Sequence, residues 1–354
     1  MSHSELLQLT AAGLYCPAGD FYVDPWRSVP RAVVTHLHSD HARAGSGHYL
    51  VSNDSVPLAR LRLGLDAPIT GLPYGQSLDC RGVRLSLHPA GHVHGSAQVR
   101  LEHRGQIAVV TGDFKLEPDA TCTAFEPVPC HLLVMESTFG LPVYRWPSQS
   151  ATAAAIHQWW HENRSHGEAS LLLGYALGKA QRLLSLLDPS VGPIVTHGAV
   201  ERINAAYRAT GVHLPPTTAA ADVGRQFRWS EALVIAPPSA AASPWVRRLG
   251  PCSTAVASGW MLIRGTRRRR GADRGFVLSD HADWPGLLHA VSLSRPERVW
   301  VTHGFTNQLS RYLTEELGVA STPLATRFTG ESLDTASDPL EDGTEPVEGE
   351  EVQP

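Results

Sequence analysis

The sequence contains no pair of cysteines spaced as in a thiolate metal site or a redox motif. Its five cysteines are scattered over 354 residues, which excludes a CxxC-type zinc site and favours free thiols in a reducing, cytoplasmic compartment. No run approaches the roughly 18 apolar residues that a membrane span needs. The first residues also lack the basic start and apolar stretch of a signal peptide. These absences predict a cytoplasmic protein without a membrane partner.

Lysine is scarce as well. Lys115 and Lys179 are the only lysines, and residues 331–354 hold nine Asp or Glu but no Lys or Arg. Without those nine negative charges, the net charge of −4 becomes about +5 for the rest of the chain. The acidic segment lacks apolar periodicity and is predicted to be a disordered tail. An arginine-rich body is compatible with an anionic partner, although codon usage in a GC-rich genome produces the same bias.

Short apolar strand candidates alternate with helix candidates along the chain. Helices are predicted over 151–165, 178–187 and 285–292, and a hairpin is predicted to turn at Arg104-Gly105. The predicted strands are Ala32–Thr35, Val83–Leu87, Ala97–Glu102, Ile107–Thr111, Leu132–Glu136, Leu171–Gly174, Ile194–Thr196, Leu233–Ala236, Phe276–Leu278 and Val299–Thr302. Hairpins that give way to strand–helix alternation indicate an α/β protein with mixed sheets.

Polar side chains follow many of these predicted strands at the point where each strand ends. The first strand leads into THLHSDH, which places His36, His38, Asp40 and His41 within six positions. The residues that follow later strands or loops are His92, Asp113, Glu136, His281 and His303. Because ligands collect at the carboxyl ends of strands in α/β sheets, these side chains are expected to converge. Imidazole and carboxylate are ligands for zinc and for manganese, so the pattern predicts a metal site.

The spacing within the histidine loop suggests two ions. His36 and His38 lie two apart and can point the same way, as alternate residues of an extended strand do. Asp40 and His41 come slightly later and can face a second ion.

The loop HxHxDH, with the later GH, TGD and THG elements, resembles the metallo-β-lactamase fold over nearly the whole chain up to about residue 330. The resemblance implies an α/β fold, an αββα sandwich, with a site for two divalent metal ions, zinc or manganese. It also implies ligand roles: His36, His38 and His92 for one ion, Asp40, His41 and His303 for the other, and Asp113 between them. Asp24 in FYVDPW would orient the histidine loop without touching the metal.

A domain-sized gap separates Asp113 from His303. That gap, with the segments MESTFG, YALGKAQRLLSLL and SDHAD, resembles the β-CASP subfamily of nucleases, which carries an inserted α/β domain. The expected domains are the first part of the core (1–140), the inserted β-CASP domain (141–270), the completion of the core (271–330) and the acidic tail (331–354).

The same resemblance assigns the catalytic residues. Glu136 and His281 would form a hydrogen-bonded pair that protonates the leaving oxygen. Asp40 is also predicted to be a catalytic residue. A histidine held by a carboxylate keeps one tautomer and a raised pKa, which suits a general acid.

A basic segment, RGTRRRRGADRG, lies just before the strand that leads to His281. Such a segment beside a phosphodiester-cleaving cleft is predicted to follow the nucleic-acid backbone. Lys179 lies at the start of a predicted helix, whose N-terminus could also receive a phosphate. The residues predicted to contact nucleic acid are Lys179, Arg264, Arg267, Arg268, Arg269 and Arg270.

Longer segments, including GDFYVDPWR and SGWMLIRGTRRRRGADRGFVLSDHADW, resemble the bacterial DNA-ligase-associated exonucleases. This resemblance implies a DNA nuclease, an exonuclease, that acts in DNA repair with a DNA ligase and a helicase as partners. His303 points to RNA instead, because RNA-processing members usually carry histidine there. A ribonuclease therefore stays open as an alternative, and a hydrolase of small esters or thioesters is a third.

Overall fold

The computed structural model describes residues 6–263 and 272–325. Arg264, Arg267–Arg270 and the tail 331–354, for which the sequence makes predictions, lie outside these residues. The described residues form three β-sheets. Their α-helices are α1 Val56–Leu63, α2 Gln149–His166, α3 Lys179–Ser185, α4 Gly198–Ala209, α5 Trp284–Ser294 and α6 Thr306–Glu315. Among the described residues, no helix has the length and apolar character needed to cross a membrane.

The first sheet is built from the N-terminal part of the chain. Its strands, in spatial order, are β1 Gln8–Thr10, β2 Gly13–Cys16, β3 Phe21–Val23, β4 Ala32–Val33, β5 Tyr49–Ser52 and β6 Ile69–Leu72. The first three strands are antiparallel, and β3 to β6 are parallel.

The second sheet combines early and late parts of the sequence. Its strands are β7 Ser77–Cys80, β8 Val83–Pro89, β9 Ala97–His103, β10 Gln106–Val110, β11 Leu132–Ser137, β18 Arg298–Gly304 and β19 Ala320–Pro323. Strands β7 to β10 are antiparallel, and β10, β11, β18 and β19 are parallel neighbours. The β9–β10 hairpin turns at Arg104 and Gly105, both with positive φ, as a tight two-residue hairpin requires. That predicted turn is confirmed.

The two sheets pack face to face, since one buried apolar cluster takes side chains such as Val33 and Leu50 from the first sheet and Leu85 and Val134 from the second. The outer face of the second sheet packs on α5 and α6, and the outer face of the first sheet packs on α1. This arrangement is the αββα sandwich, so the predicted fold class is confirmed.

The third sheet is inserted between β11 and β18. Its strands are β12 Ala169–Leu173, β13 Ile194–Thr196, β14 Thr218–Ala219, β15 Leu233–Ala236, β16 Cys252–Ala257 and β17 Arg274–Phe276. All are parallel, in the order β14-β13-β15-β12-β16-β17, and α2, α3 and α4 pack on one face. The last strand lies beyond residue 270, the boundary expected from the sequence. A second buried apolar cluster, formed with side chains of α2, α3 and α4, contains Val51 of the first sheet and Leu172 of the third. The insertion therefore packs directly on the sandwich.

Candidate metal centre and proton-donor pair

Strand ends carry the candidate site. The loop from His36 to His41 follows β4, and Asp113 follows β10. Glu136 lies in β11 and pairs in register with Thr302 of the neighbouring strand β18, one residue before His303. Because β10, β11 and β18 run parallel, their carboxyl ends lie at one edge of the second sheet.

Close backbone packing holds these strand ends together. Gly112, with a φ of +57°, lies so near Thr35 that a Cβ atom at Gly112 would be 2.5 Å from Thr35 Oγ1. Asp24 and His303 have φ angles of 44° and 53°, in the left-handed region that residues other than glycine rarely adopt. Two such residues within one site indicate that the surrounding structure holds them in place for a function.

The first group of candidate ligands consists of His36, His38, His92 and Asp113, whose ligand atoms all lie within 4.8 Å of one another. The Oδ2 atom of Asp113 is 3.5 Å from His36 Nε2 and 3.9 Å from His92 Nε2. His38 Nδ1 is 3.1 Å from His92 Nε2. The structure thus brings these four side chains together.

The hydrogen bonds of two of these histidines fix which nitrogen faces the centre. His92 Nδ1 donates to the carbonyl oxygen of Asp280 at 2.8 Å, and His38 Nε2 donates to the carbonyl oxygen of Leu177 at 3.2 Å. In neutral imidazoles the other nitrogens then carry lone pairs. His38 Nδ1 and His92 Nε2 therefore face each other with two lone pairs, an arrangement that a cation between them would stabilise.

The second group consists of Asp40, His41 and His303. His41 Nε2 is 3.6 Å from an oxygen of Asp40 and 3.6 Å from Asp113 Oδ2, so Asp113 lies between the two groups. The imidazole rings of His41 and His303 stack at 5.1 Å. Asp24 supports this group from behind: it accepts hydrogen bonds from His41 Nδ1 at 2.7 Å and from Thr35 N and Oγ1 at 2.8 and 2.6 Å.

Burial and neighbouring charges set the protonation of the site. Burial and the nearby histidines lower the pKa of His36 and His92 well below its usual value, so both imidazoles are neutral at neutral pH. Burial also opposes the charge of His41, but the carboxylates of Asp113, Asp40 and Asp24 raise the pKa of His41 to about 10. Burial raises the pKa of Asp113 to about 7, although His41 opposes this shift. Without a metal ion, the His41 proton supplies the positive charge that these carboxylates require, and a bound cation would replace it.

The chemistry of the donor set fits divalent metal ions. His36 Nε2, His41 Nε2 and Asp113 Oδ1 are buried and have no hydrogen-bond partner among the described residues. Buried polar atoms are almost always hydrogen-bonded, and unpaired ones are expensive. Neutral imidazoles and carboxylates are metal ligands. The residues of the two groups are therefore suited to hold divalent cations.

Glu136 and His281 form a pair beside this centre. His281 Nδ1 lies 2.9 Å from both carboxylate oxygens of Glu136 and 3.9 Å from Asp113 Oδ2, and both side chains of the pair are buried. Glu136 also accepts a hydrogen bond from the backbone N–H of Phe114 at 2.9 Å. Burial opposes the charge of Glu136, but His281 and these hydrogen bonds lower the pKa of the carboxyl, so it stays ionised.

The structure corrects one prediction. Lys179, expected to bind nucleic acid, is fully buried, and its ammonium lies 2.9 Å from Asp280 Oδ2. An ammonium without solvent access cannot contact a phosphate on the surface. The first four residues of α3, from Lys179 to Arg182, are all buried, so the N-terminus of this helix is not open to a phosphate either. The predictions for Arg264, Arg267, Arg268, Arg269 and Arg270 concern residues outside the described part of the chain.

Sequence reasoning did not find every residue that supports the site. Asp280 and Leu177 act through backbone carbonyls, which no side-chain pattern reveals. Thr35 precedes the histidine loop and had no signal beyond its position. Asp280 had a weak one, since it is an acidic residue directly before the predicted proton donor His281.

Replacing Asp24 with asparagine is expected to lower metal affinity by about 10–100-fold, the usual cost of losing a partner behind a ligand. An amide accepts less strongly than a carboxylate and would leave the His41 ring poorly oriented. Competition of Zn²⁺ between the protein and a chromophoric chelator measures the change. Asp20→Asn is the matched control, because Asp20 also has positive φ but pairs with Arg31, away from the candidate ligands. Equal affinities for both variants would contradict the role of Asp24.

Comparisons with known proteins agree with this geometry. The chain is 34% identical over 333 residues to a protein of Opitutus terrae named "Probable DNA ligase", covering 88% of this chain and 32% of that protein. It is 29% identical over 157 residues to "Endoribonuclease YSH1" of Eremothecium gossypii, covering 44% of this chain and 19% of the relative. The chain thus spans a third or less of the length of these relatives. None of the protein-family models matches.

A crystal structure of a protein of unknown function from Enterococcus faecalis V583 has the same fold, with a TM-score of 0.58 and 12% identity, covering 85% of this chain and 80% of that one. The αββα sandwich, with histidines and aspartates at its strand ends, defines the metallo-β-lactamase class of proteins. A third, parallel sheet is inserted before the last ligand strand. Together with the relatives, these features show that the chain belongs to the β-CASP family of that class.

Proposed function

We propose that this protein is a metal-dependent deoxyribonuclease that hydrolyses phosphodiester bonds with two metal ions, acting as an exonuclease. The observation that carries the proposal is the buried Glu136–His281 pair, joined at 2.9 Å beside a cluster of candidate metal ligands. A metal centre alone suits many hydrolases. A histidine held by a carboxylate next to it suits a reaction whose leaving group needs a proton.

Residues of the two groups would hold the ions, with Asp113 between them. Divalent ions held there would supply an activated water molecule as nucleophile and neutralise the charge that develops on the phosphate. Asp40, His41 and His303 would supply the ligands of the second group.

His281 would act as the general acid. Its Nδ1–H donates to Glu136, so the proton that can be delivered to the 3′-oxygen is on the other nitrogen, Nε2. The ionised Glu136 carboxylate stabilises the imidazolium form of His281 and fixes the ring. After the proton leaves, the same carboxylate holds the neutral tautomer with its hydrogen on Nδ1.

DNA is the proposed substrate because the relative that matches 88% of this chain is named a probable DNA ligase. A nuclease joined to, or acting with, a ligase would trim ends before sealing, which supports a role in DNA repair with a ligase and a helicase. The five cysteines, all in the described residues, are unpaired, which supports a cytoplasmic location. Zn²⁺ and Mn²⁺ are the proposed ions.

RNA is the second candidate substrate. The match to the endoribonuclease of Eremothecium gossypii favours it, as does a histidine rather than an apolar residue at position 303. The same chemistry serves either polymer, so only substrate competition separates the two candidates.

The proposal is tested with metal-stripped protein refilled with Mn²⁺ or Zn²⁺ and given end-labelled single strands of DNA and RNA of one sequence. Cleavage of DNA well above RNA, with mononucleotides released from one end, is the expected result. Faster cleavage of RNA would replace the DNA assignment with the RNA-processing one. If the metal-loaded protein cleaves neither strand but hydrolyses a thioester, the nuclease proposal is wrong.

A further inference from the structure

A buried network of charges joins the inserted α3 helix to the candidate metal centre. Lys179 Nζ lies 2.9 Å from Asp280 Oδ2, and Arg182 Nη1 lies 3.4 Å from Asp280 Oδ1. Arg182 Nε is 3.7 Å from Asp119, which pairs with Lys115 at 2.5 Å. The side chains of all five residues are at most 5% exposed.

The charges of this network are nearly balanced. Three cations, Lys115, Lys179 and Arg182, face the two buried carboxylates of Asp119 and Asp280, and the half-exposed Glu117 lies 3.4 Å from Arg182 Nη2. Burial opposes the charge of Asp280, yet Lys179 and Arg182 hold the pKa of its carboxyl well below the usual value. Removing charges this deeply from water is costly, so we expect this network to have a role besides stabilising the fold.

The network holds the backbone that precedes His281. Lys179 donates to the carbonyl oxygen of Leu278 at 3.3 Å, and Arg182 donates to that of Ser279. With the two contacts to the Asp280 carboxylate, α3 fixes three consecutive residues. The next carbonyl group, that of Asp280 itself, is the one that accepts the Nδ1 hydrogen of His92.

The segment just before α3 acts on the other facing histidine. The Leu177 carbonyl oxygen, two residues before Lys179, accepts the Nε2 hydrogen of His38. Two carbonyl groups therefore determine which nitrogens of His38 and His92 carry the lone pairs that face each other. One belongs to the segment that leads into α3, and α3 holds the other in place.

We propose that the start of α3 is a positioning element for the metal centre, in which Lys179 and Arg182 hold the Asp280 carbonyl group that orients His92, while Leu177 orients His38. This inference rests on the proposed function and makes the inserted domain a support for metal binding. Its prediction concerns metal affinity, so it can be tested even if the nucleic-acid substrate is wrong.

Four forms of the 354-residue chain test this: wild type, Lys179→Met, the double variant Lys179→Met/Asp280→Asn, and Arg208→Met as control. The control removes an ion pair of the same domain, Arg208–Glu201 at 2.9 Å, which has no contact with the candidate ligands among the described residues. Zn²⁺ affinity is measured by competition with a chromophoric chelator, and unfolding midpoints are measured on the metal-free proteins.

Lys179→Met is expected to lower Zn²⁺ affinity by about 10–100-fold, as loss of support behind a ligand does. The double variant leaves no unpaired carboxylate, so its unfolding midpoint should recover towards wild type while its Zn²⁺ affinity stays low. Arg208→Met should bind Zn²⁺ as wild type does. The proposal is overturned if the double variant binds Zn²⁺ like wild type, or if affinity follows the unfolding midpoint through all four proteins. A wild-type protein that binds Zn²⁺ but cleaves no nucleic acid would refute the proposed function and leave this comparison valid.

Discussion

Replacement of His281 by alanine is expected to lower the rate of DNA cleavage by about 10²–10⁴-fold, the contribution of a positioned general acid. The 3′-oxygen of a nucleotide is a poor leaving group without a proton, and His281 is the buried imidazole that Glu136 holds at 2.9 Å. The change should appear in kcat measured with metal-saturated protein. Glu136→Gln should lose a similar factor, and the double variant little more, because the two residues act as a unit.

A substrate with a good leaving group sharpens this test. An aryl phosphodiester that releases 4-nitrophenolate needs no proton on the leaving oxygen, so His281→Ala should cleave it at nearly the wild-type rate. His197→Ala is the matched control. His197 lies in a second copy of the Thr-His-Gly sequence that contains His303. It caps α4 by accepting a hydrogen bond from Ala199 N–H, and its ring lies 5.1 Å from that of Trp245. If His281→Ala lost activity equally on the aryl substrate and on DNA, the role of His281 would be structural or in metal binding rather than that of an acid.

Replacement of Asp113 by asparagine is expected to abolish binding of at least one metal ion and to reduce cleavage by more than about 100-fold. Even partners behind a ligand cost about 10–100-fold, and Asp113 Oδ2 lies 3.5 Å from His36 Nε2 and 3.6 Å from His41 Nε2, between the two groups. Elemental analysis of the dialysed protein counts the ions, and the end-labelled DNA assay gives the rate.

Asp113→Asn should change the unfolding temperature in opposite directions in the metal-free and the metal-bound protein. In the metal-free protein, burial raises the pKa of Asp113 from 3.8 to about 7. A carboxyl whose pKa is raised on folding costs stability as pH rises from about 4 to about 7, because the folded state binds the extra proton. Asp113→Asn removes this cost, so the metal-free variant at pH 8 should unfold at no lower temperature than metal-free wild type.

With metal bound, the same variant should unfold at a lower temperature than wild type, because the ions stabilise the folded state in proportion to their affinity. Wild type and variant would then differ in the gain of unfolding temperature on adding Zn²⁺. An Asp113→Asn protein that gained as much as wild type would contradict the placement of Asp113 in the metal centre.

The sequence predicts the strands that carry the candidate ligands because they are short, apolar and followed at once by polar residues. The Ile194–Thr196 and Leu233–Ala236 strands have the predicted bounds. Strand β17 ends at Phe276 rather than beginning there, since Val277 and Leu278 are as apolar as strand residues but leave the sheet towards His281. Apolar runs do not mark where a buried chain stops pairing and becomes a loop.

Helices are harder to predict where buried apolar residues do not recur with helical spacing. The helix α1 is only eight residues long and carries two arginines in its last turn, so it has no clear apolar face. The helix α4 is strongly amphipathic, but the sequence Thr196-His197-Gly198 at its start is the same as Thr302-His303-Gly304, so the sequence alone does not mark where this helix begins. His197 at that position is instead the N-cap residue, directly before the first residue of the helix.

The prediction for Lys179 was wrong for a related reason. A lysine at the start of a helix in an arginine-rich protein suggests an exposed cation, and sequence does not show that a carboxylate 101 positions later will bury it. The groups that accept hydrogen bonds from the ligand histidines cannot be predicted from the sequence for the same reason. The Leu177 and Asp280 carbonyl groups become visible only when the inserted sheet and the sandwich are folded together.

We propose that two divalent ions at this centre drive phosphodiester hydrolysis. The most direct test is to strip the protein of metal and follow cleavage of end-labelled DNA while Mn²⁺ or Zn²⁺ is added in known ratios to the chain. We expect no cleavage without metal and a rate that rises until about two ions per chain are bound. Full activity in the metal-free protein, or none at saturating metal with DNA and RNA alike, would contradict this expectation.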